Sequence, residues 1–431
     1  LMSYVASVNY SYGDKYYASF SFRRDGSSRL SPDTRWGNFW SLSASWRLSQ
    51  ERFMQPLKSV LSDLKLRASY GVNGNLPSSY YGYQSTYTTG AFYNGKPSPW
   101  ESTLGNEELT WEKNYALNLG LDIGLFSRVN VSLDWYTRTT KDLLMSKQLN
   151  SISGFSSLLT NVGQMRNTGV ELEVRSNNIK TKDFSWTTAF NLSHNKNKIL
   201  KLADLPWFVD GRYVRKEGYP FNTIYLREYA GVDPETGSAL YYDNQQDENG
   251  NYTKNKVTDP GQASPIPLKD ITPTISGGFM NTFNYKFIDL SFNLSYSFGG
   301  YSYDNASYIL QDDGYSVISN KSTEQRRRWQ KPGDITDVPR FVYGNKKGGN
   351  YNSSRAIHST DHIRLKSLIL GLNAPKAWLQ KLGIGNARIY FSGTNLLTWA
   401  AYGQYDPEMS GVVGFYTPPL KTYAFGLELK F

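Results

Sequence analysis

The sequence predicts an all-β chain, a transmembrane antiparallel β-barrel with about thirteen strands in this chain, and three observations predict it. Apolar and polar residues alternate with period two over segments of about ten residues, the span a tilted strand needs to cross hydrocarbon. No stretch approaches about 18 uninterrupted apolar residues, so a membrane span here has to be built from strands. The connections alternate between short and long, as in barrels with short periplasmic turns and long external loops.

The alternation is strict where it is clearest. In 288–298 the even positions are Ile288, Leu290, Phe292, Leu294, Tyr296 and Phe298, and the odd ones are Asp289, Ser291, Asn293, Ser295 and Ser297. Leu117, Leu119, Leu121, Ile123 and Leu125 alternate with Asn118, Gly120, Asp122 and Gly124. Val129, Val131, Leu133 and Trp135 alternate with Asn130, Ser132 and Asp134, and Val170, Leu172 and Val174 with Glu171, Glu173 and Arg175. A β-sandwich shares this pattern. The length of the strands and the rhythm of the connections favour the membrane.

In order, strands are predicted to begin near residues 2, 15, 36, 63, 109, 128, 165, 183, 271, 287, 358, 386 and 419. Short turns fall near Gly13-Asp14, Ser127-Arg128, Thr181-Lys182 and Lys286-Phe287, with longer turns near 49–62 and 374–385. Long loops fall near 25–36, 73–108, 146–165, 201–270, 302–357 and 400–418. With the C-terminus in the periplasm, every short turn is periplasmic and every long loop external. An odd, unclosed set of strands exposes two edges that lipid does not tolerate, so residues 2–12 and 419–431 are expected to pair with strands from elsewhere. The start, LMSYVASVNYSYGDKYY, is not a signal peptide; it already alternates like a strand.

Composition agrees with a barrel wetted inside and belted with aromatics. The 431 residues include 33 Tyr, 21 Phe and 11 Trp while only 39% are apolar. The absence of cysteine excludes disulfides, thiolate metal sites and Cys nucleophiles. The net charge of +10 is scattered and no basic element argues for nucleic acid. The dense run Arg326-Arg327-Arg328 reads as a solvated loop or as a contact with lipid or lipopolysaccharide phosphates. His358 and His362 are four apart, but IHSTDHIRL reads as a strand, where that spacing places both on one face and no metal site is expected. Asp243, Asn244, Asp247 and Asn249 only faintly suggest calcium ligation, and their spacing does not fit the twelve-residue loop. No catalytic set is visible, so neither enzyme nor cofactor is expected.

Three groups of side chains are candidates for function. Tyr80, Tyr81, Tyr83, Tyr93, Trp100, Trp207 and Phe208 lie in long loops, where they could stack on sugar rings, grip peptide, pack the loops or sit at the membrane interface. Asn118, Asp122, Glu171, Glu173, Arg175 and Asn191 face the interior by period two. Tyr423, Phe425 and Phe431 share one face of the last strand with Leu427 and Leu429, and a terminal aromatic on such a strand looks like a signal read by outer-membrane assembly machinery.

A dozen ordered stretches resemble the barrel of the SusC-like, TonB-dependent transporters. They include YGDKYYASFSFRRDGSSRL (12–30), DLKLRASYGVNGN (63–75), LTWEKNYALNLGLDIGLF (109–126), NVGQMRNTGVELEV (161–174), RRWQKPGDITDVPR (327–340) and YDPEMSG (405–411). One departure is Leu372, where an aromatic is expected after Gly371. The resemblance implies a Gram-negative outer-membrane barrel of about twenty-two strands around a plug. On that reading, residues 1–431 are the C-terminal part of the barrel, and the plug and N-terminal strands belong to another segment. The resemblance further implies import of nutrients such as oligosaccharides, energised through TonB and shared with a SusD-like lipoprotein. A passive porin or an adhesive barrel are the alternatives.

Overall fold

A computed structural model describes residues 1–90, 92–202, 205–316, 318–345, 352–375, 378–379 and 383–431. Its main sheet has thirteen strands in simple sequence order. They are β1 (Met2–Tyr12), β2 (Tyr16–Gly26), β3 (Trp36–Arg47), β4 (Leu61–Asn75), β5 (Glu112–Leu125), β6 (Val129–Lys141), β7 (Gln164–Lys180), β8 (Phe184–Lys201), β9 (Ile275–Tyr285), β10 (Ile288–Phe298), β11 (His362–Asn373), β12 (Asn386–Ala400) and β13 (Thr422–Lys430). Each predicted strand is present, with starts shifted by at most a few residues. β1 and β13 stand at the two ends of the order. Among the described residues no helix is long and apolar enough to cross a membrane.

The chain divides into two compact units. The first, Leu1–Trp207 with 216–221 and 278–286, holds β1 to β8 and most of β9. Its hairpins are antiparallel and its register follows the alternation. Leu66 lies opposite Leu121, Leu121 opposite Leu133, and Leu133 opposite Leu172. These rows form the outer, apolar face. The inner face carries Arg67, Asp122, Ser132 and Glu173 in the adjoining positions. The β1–β2 turn has positive φ at both Gly13 and Asp14, and Lys15 N–H donates to the Tyr12 carbonyl at 3.1 Å. The three-residue connection Gly13–Lys15 makes a tight hairpin.

The second unit, 208–215, 222–277 and 287–431, holds β10 to β13 and the largest loops. Leu290 lies opposite Leu370 and Phe292 opposite Leu368, but Leu294 lies opposite Leu365, because a bulge at Lys366 shifts the register by one. The bulge keeps Ile363 and Leu365 on the same face as Leu368, Leu370 and Leu372, although their numbers change parity. Smaller sheets sit in the loops. Tyr301–Asp304 pairs antiparallel with Ile357–Ser359 and parallel with Gly411–Val413.

One expectation is corrected here. His358 and His362 do not share a strand face, because the strand is interrupted between Ser359 and His362. Thr360 N–H donates to the Gly300 carbonyl at 2.9 Å and the Asp361 carboxylate accepts from Gly299 N–H at 2.6 Å, which turns the chain out of the wall. The strand predicted from 358 therefore starts at His362. The predicted turn near 374–385 lies partly outside the described residues.

Candidate functional site

The inner wall of the first unit is organised around Arg67. Period two puts Arg67 of β4, Asp122 of β5 and Ser132 and Asp134 of β6 on the polar face at neighbouring heights. The guanidinium donates to both Asp122 oxygens at 2.8 and 2.9 Å and to both Asp134 oxygens at 2.9 Å, and the Ser132 hydroxyl donates to Asp122 at 2.8 Å. One cation thus serves two carboxylates across three strands. Gly120 stands opposite both Arg67 and Asp134. A Cβ there would lie 2.5 Å from Arg67 Cζ and 2.6 Å from an Asp134 oxygen, so the cluster needs glycine. Glu171 and Glu173 are exposed beside it, leaving this face open to water.

The second unit repeats the device with other residues. Arg388 of β12 donates to Asp289 of β10 at 2.6 and 3.1 Å, and Asn373 of β11 donates to the same carboxylate at 2.8 Å. Gly371 leaves the space: a Cβ would meet Arg388 Nε at 2.7 Å and collide with Asp289.

The loops above the first unit pack on their own core of Leu30, Phe39, Val72, Leu109 and Trp111. Trp111 Nε1 donates to the Arg35 carbonyl at 2.9 Å and its ring meets Phe39 edge-on at 5.2 Å. This core holds the 76–111 loop, where five of the predicted aromatics lie. Tyr80 is 63% exposed and lies 4.0 Å from the Arg29 guanidinium. Tyr81, Tyr93 and Trp100 are also exposed, while Tyr83 is half-buried and accepts from Gln84 at 3.0 Å. Tyr93 sits on a small hairpin of Phe92–Tyr93 with Lys96–Pro97. No two of these five rings stack on each other among the described residues. Trp207 is exposed and Phe208 half-buried. The structure therefore presents the aromatics as separate surfaces, not as one cage.

The second unit holds a cavity of about 250 Å³ that the sequence reading did not single out. Asp304, Gln311, Gln404, Tyr405, Phe415 and Tyr416 help to line it. The rings of Phe415 and Tyr416 are 68% and 62% exposed. Asp304 caps the short helix Asn305–Leu310 by accepting from Ser307 N–H at 2.8 Å, and it also accepts from Tyr402 Oη at 3.1 Å. Asp406 is held by Arg364, whose side chain is 2% exposed, at 2.6 Å; the same guanidinium reaches Glu408 at 3.2 Å. Lys366, freed by the bulge, binds Glu408 at 2.5 Å. The YDPEMSG stretch is thus pinned to the top of β11 by buried charge. The surviving signal in the sequence was the run Phe415-Tyr416-Thr417-Pro418-Pro419, two aromatics ahead of a stiff segment.

His358 lies flat on Tyr402, with ring centres 3.7 Å apart and planes within 3°. Burial lowers its pKa below the ordinary histidine value, with Asp304 acting in the opposite direction. Burial raises the pKa of Asp313 even though Arg355 pairs with it at 2.5 Å. Arg327 pairs with Glu324 and Asp337, the solvated-loop reading of the basic run. Asp243 accepts from Thr253 and Asn255, and Asp247 from the Asn249 and Asn251 backbones, so the acidic loop satisfies itself. No metal-holding group of three or more such side chains occurs among the described residues. In β13, Tyr423 and Phe425 pack on Phe391, with ring centres at 6.3 and 5.3 Å.

Residues 3–253 match the family described as TonB dependent receptor-like, beta-barrel. The chain is 33% identical over 466 residues to TonB-dependent receptor P3 of Formosa agariphila, covering 100% of this chain and 45% of that protein. It is 31% identical over 460 residues to TonB-dependent receptor SusC of Bacteroides thetaiotaomicron, covering 100% of this chain and 44% of that one. A solved structure of the RagAB peptide transporter superposes with a TM-score of 0.90 at 31% identity, over 100% of this chain and 47% of its own. The chain spans about half the length of the curated relatives it matches. Family match, relatives and strand pattern agree, and the chain belongs to the TonB-dependent receptor β-barrels of the outer membrane.

Proposed function

We propose that this chain forms wall and mouth of a SusC-type importer that takes up nutrient oligomers, oligosaccharides first among them, with energy supplied through TonB and a SusD-like lipoprotein presenting cargo. The observation that supports this best is the contrast of surfaces. The inner wall is polar and charge-paired, as a wetted conduit requires, while the mouth loops are built on rigid small cores with exposed aromatic rings. Tyr80, Tyr81, Tyr93, Trp100, Phe415 and Tyr416 are the rings offered to cargo, with Tyr83, Trp207 and Phe208 in support. On this reading the role of the chain is binding and passage.

Peptide cargo is the second reading, favoured by the likeness to the RagAB peptide transporter. Deleting the gene and measuring growth on panels of glycans and of peptides separates the two. Loss on one panel names the cargo class, and loss on neither removes the import reading. The long loops are assigned to the outside and Tyr423, Phe425 and Phe431 to the assembly signal. Because the chain has no cysteine, single cysteines at Gly95 or Ser127 give clean labels. An impermeant maleimide on whole cells should reach the first and spare the second.

A further inference from the structure

The outer face of the first unit has a dent where its apolar surface should be even. By register Ala18, Ala44 and Ala68 stand side by side on β2, β3 and β4, opposite Leu119 on β5. The row one pleat nearer the short turns is Tyr16, Trp46, Leu66 and Leu121, and the row one pleat further away is Phe20, Leu42, Tyr70 and Leu117. Beside Ala44 and Ala68 of this row lies a hollow of about 720 Å³, which Trp46, Leu66, Leu119, Leu121 and Trp135 help to wall in. It opens to the side that faces hydrocarbon.

Its lower rim is fixed. The Tyr16 and Trp46 rings stack at 6.3 Å, and both donate to Glu51, at 2.6 and 3.2 Å; Lys15 closes on the same carboxylate at 2.9 Å. The acidic charge of this rim is therefore already matched. The turn that follows is different. The short helix Arg52–Leu57 and the residues after it expose Phe53, Leu57 and Val60, as a segment resting in a membrane interface does. The side chains of Arg52 and Lys58 in the same turn are exposed and make no ion pair or hydrogen bond among the described residues. Ala44 is three residues from the end of its strand, so the hollow lies about 10 Å along the wall from the start of the turn that carries the cations. That is the arrangement of a phospholipid, with chain in the hollow and charged head at the turn.

We propose that the hollow seats an acyl chain of an anionic glycerophospholipid of the periplasmic leaflet, whose phosphate lies against Arg52 and Lys58. The unmatched positive charge selects an anionic head, and the alanine row selects a chain over a flat annular contact. The site depends on the outer-membrane placement and not on the identity of the cargo.

Delipidated full-length protein in mild detergent can be titrated with phosphatidylglycerol, phosphatidylcholine and lipid A while native mass spectrometry counts retained molecules. Phosphatidylglycerol should be held in preference to the other two. Arg52→Gln with Lys58→Gln should cut its preference over phosphatidylcholine by about twenty-fivefold, each cation at an anionic membrane surface counting for a factor of about five. Ala68→Trp should expel both phospholipids, with heat-modifiable mobility checking that the barrel has folded. The charge variants lie outside the wall, so they test the site even if Ala68→Trp fails to fold. Equal retention of both phospholipids, preference for lipid A, no retention at all, or indifference to the charge variants would each overturn the site.

Discussion

Two charged clusters show how differently this protein uses the same chemistry. On the inner wall Arg67 meets Asp122 and Asp134 with its side chain about one-third exposed, on strands that neighbour each other in the sheet. At the mouth, Arg364 is 2% exposed and binds Asp406 and Glu408 across a loop some forty residues further along the chain. The wall would keep its shape without its ion pairs, because backbone pairing already fixes it. The 405–411 stretch is held by its ion pairs, by Tyr405 against Ser302 and Tyr402, and by the three residues of its short strand Gly411–Val413. Charge decorates the wall and builds the mouth.

The largest effect should therefore follow Arg364→Met. Removing one partner of a buried pair costs about 3–5 kcal/mol, because Asp406 is left without its cation. The loss should appear as rapid hydrogen exchange over 402–418 while β11 and β12 stay protected. If the exchange spreads evenly through the wall, the mouth is not a separate unit of stability and the comparison breaks. A smaller but global effect is expected of Leu294→Arg on the outer face, where a cation near the bilayer midplane costs about 2–4 kcal/mol. Asn293→Arg, one residue away but pointing inward, should be far milder when both variants are unfolded in urea. Equal damage from both would mean that β10 is buried on two faces.

The wall cluster should be cheaper still. Arg67→Met should cost about 1 kcal/mol in the same assay, in the range of partly solvated ion pairs. A loss as large as that of Arg364→Met would show that the inner wall is dry, contrary to the exposure of Glu171 and Glu173 beside it.

The same contrast decides what the sequence reveals. Period two assigns Arg67, Asp122 and Asp134 inward and Leu121 and Leu133 outward without reference to any distant residue, so strands, turns and inner wall were legible. It fails at Lys366, where a bulge changes the parity and frees the side chain that reaches Glu408. It fails again at His358, since nothing local says that Gly299 and Gly300 pull Thr360 and Asp361 out of the strand. The mouth cavity depends on segments near 304, 311, 404 and 415 meeting in space, a long-range matter that no periodicity encodes. Five of the predicted aromatics are exposed while Tyr83 and Phe208 are half-buried, and their separation from one another was not readable either.

The smallest effect is a titration at the mouth. His358 is buried against Tyr402, and burial depresses its pKa below the ordinary 6.5 while Asp304 resists the shift. A depressed pKa in the folded state means that the unfolded chain takes up the proton more readily. The stability from keeping this ring neutral is thus fully present above pH 6.5 and is lost as the pH falls through the folded pKa. Acidification from 7.5 towards 5 should speed hydrogen exchange in 355–360 and 402–405 before the wall responds. His358→Phe keeps a flat ring on Tyr402 but cannot titrate, so exchange there should lose its dependence on pH over that window. If the variant keeps the wild-type profile, the acid sensitivity belongs to the carboxylates around Arg364, and the His358–Tyr402 stack is packing alone.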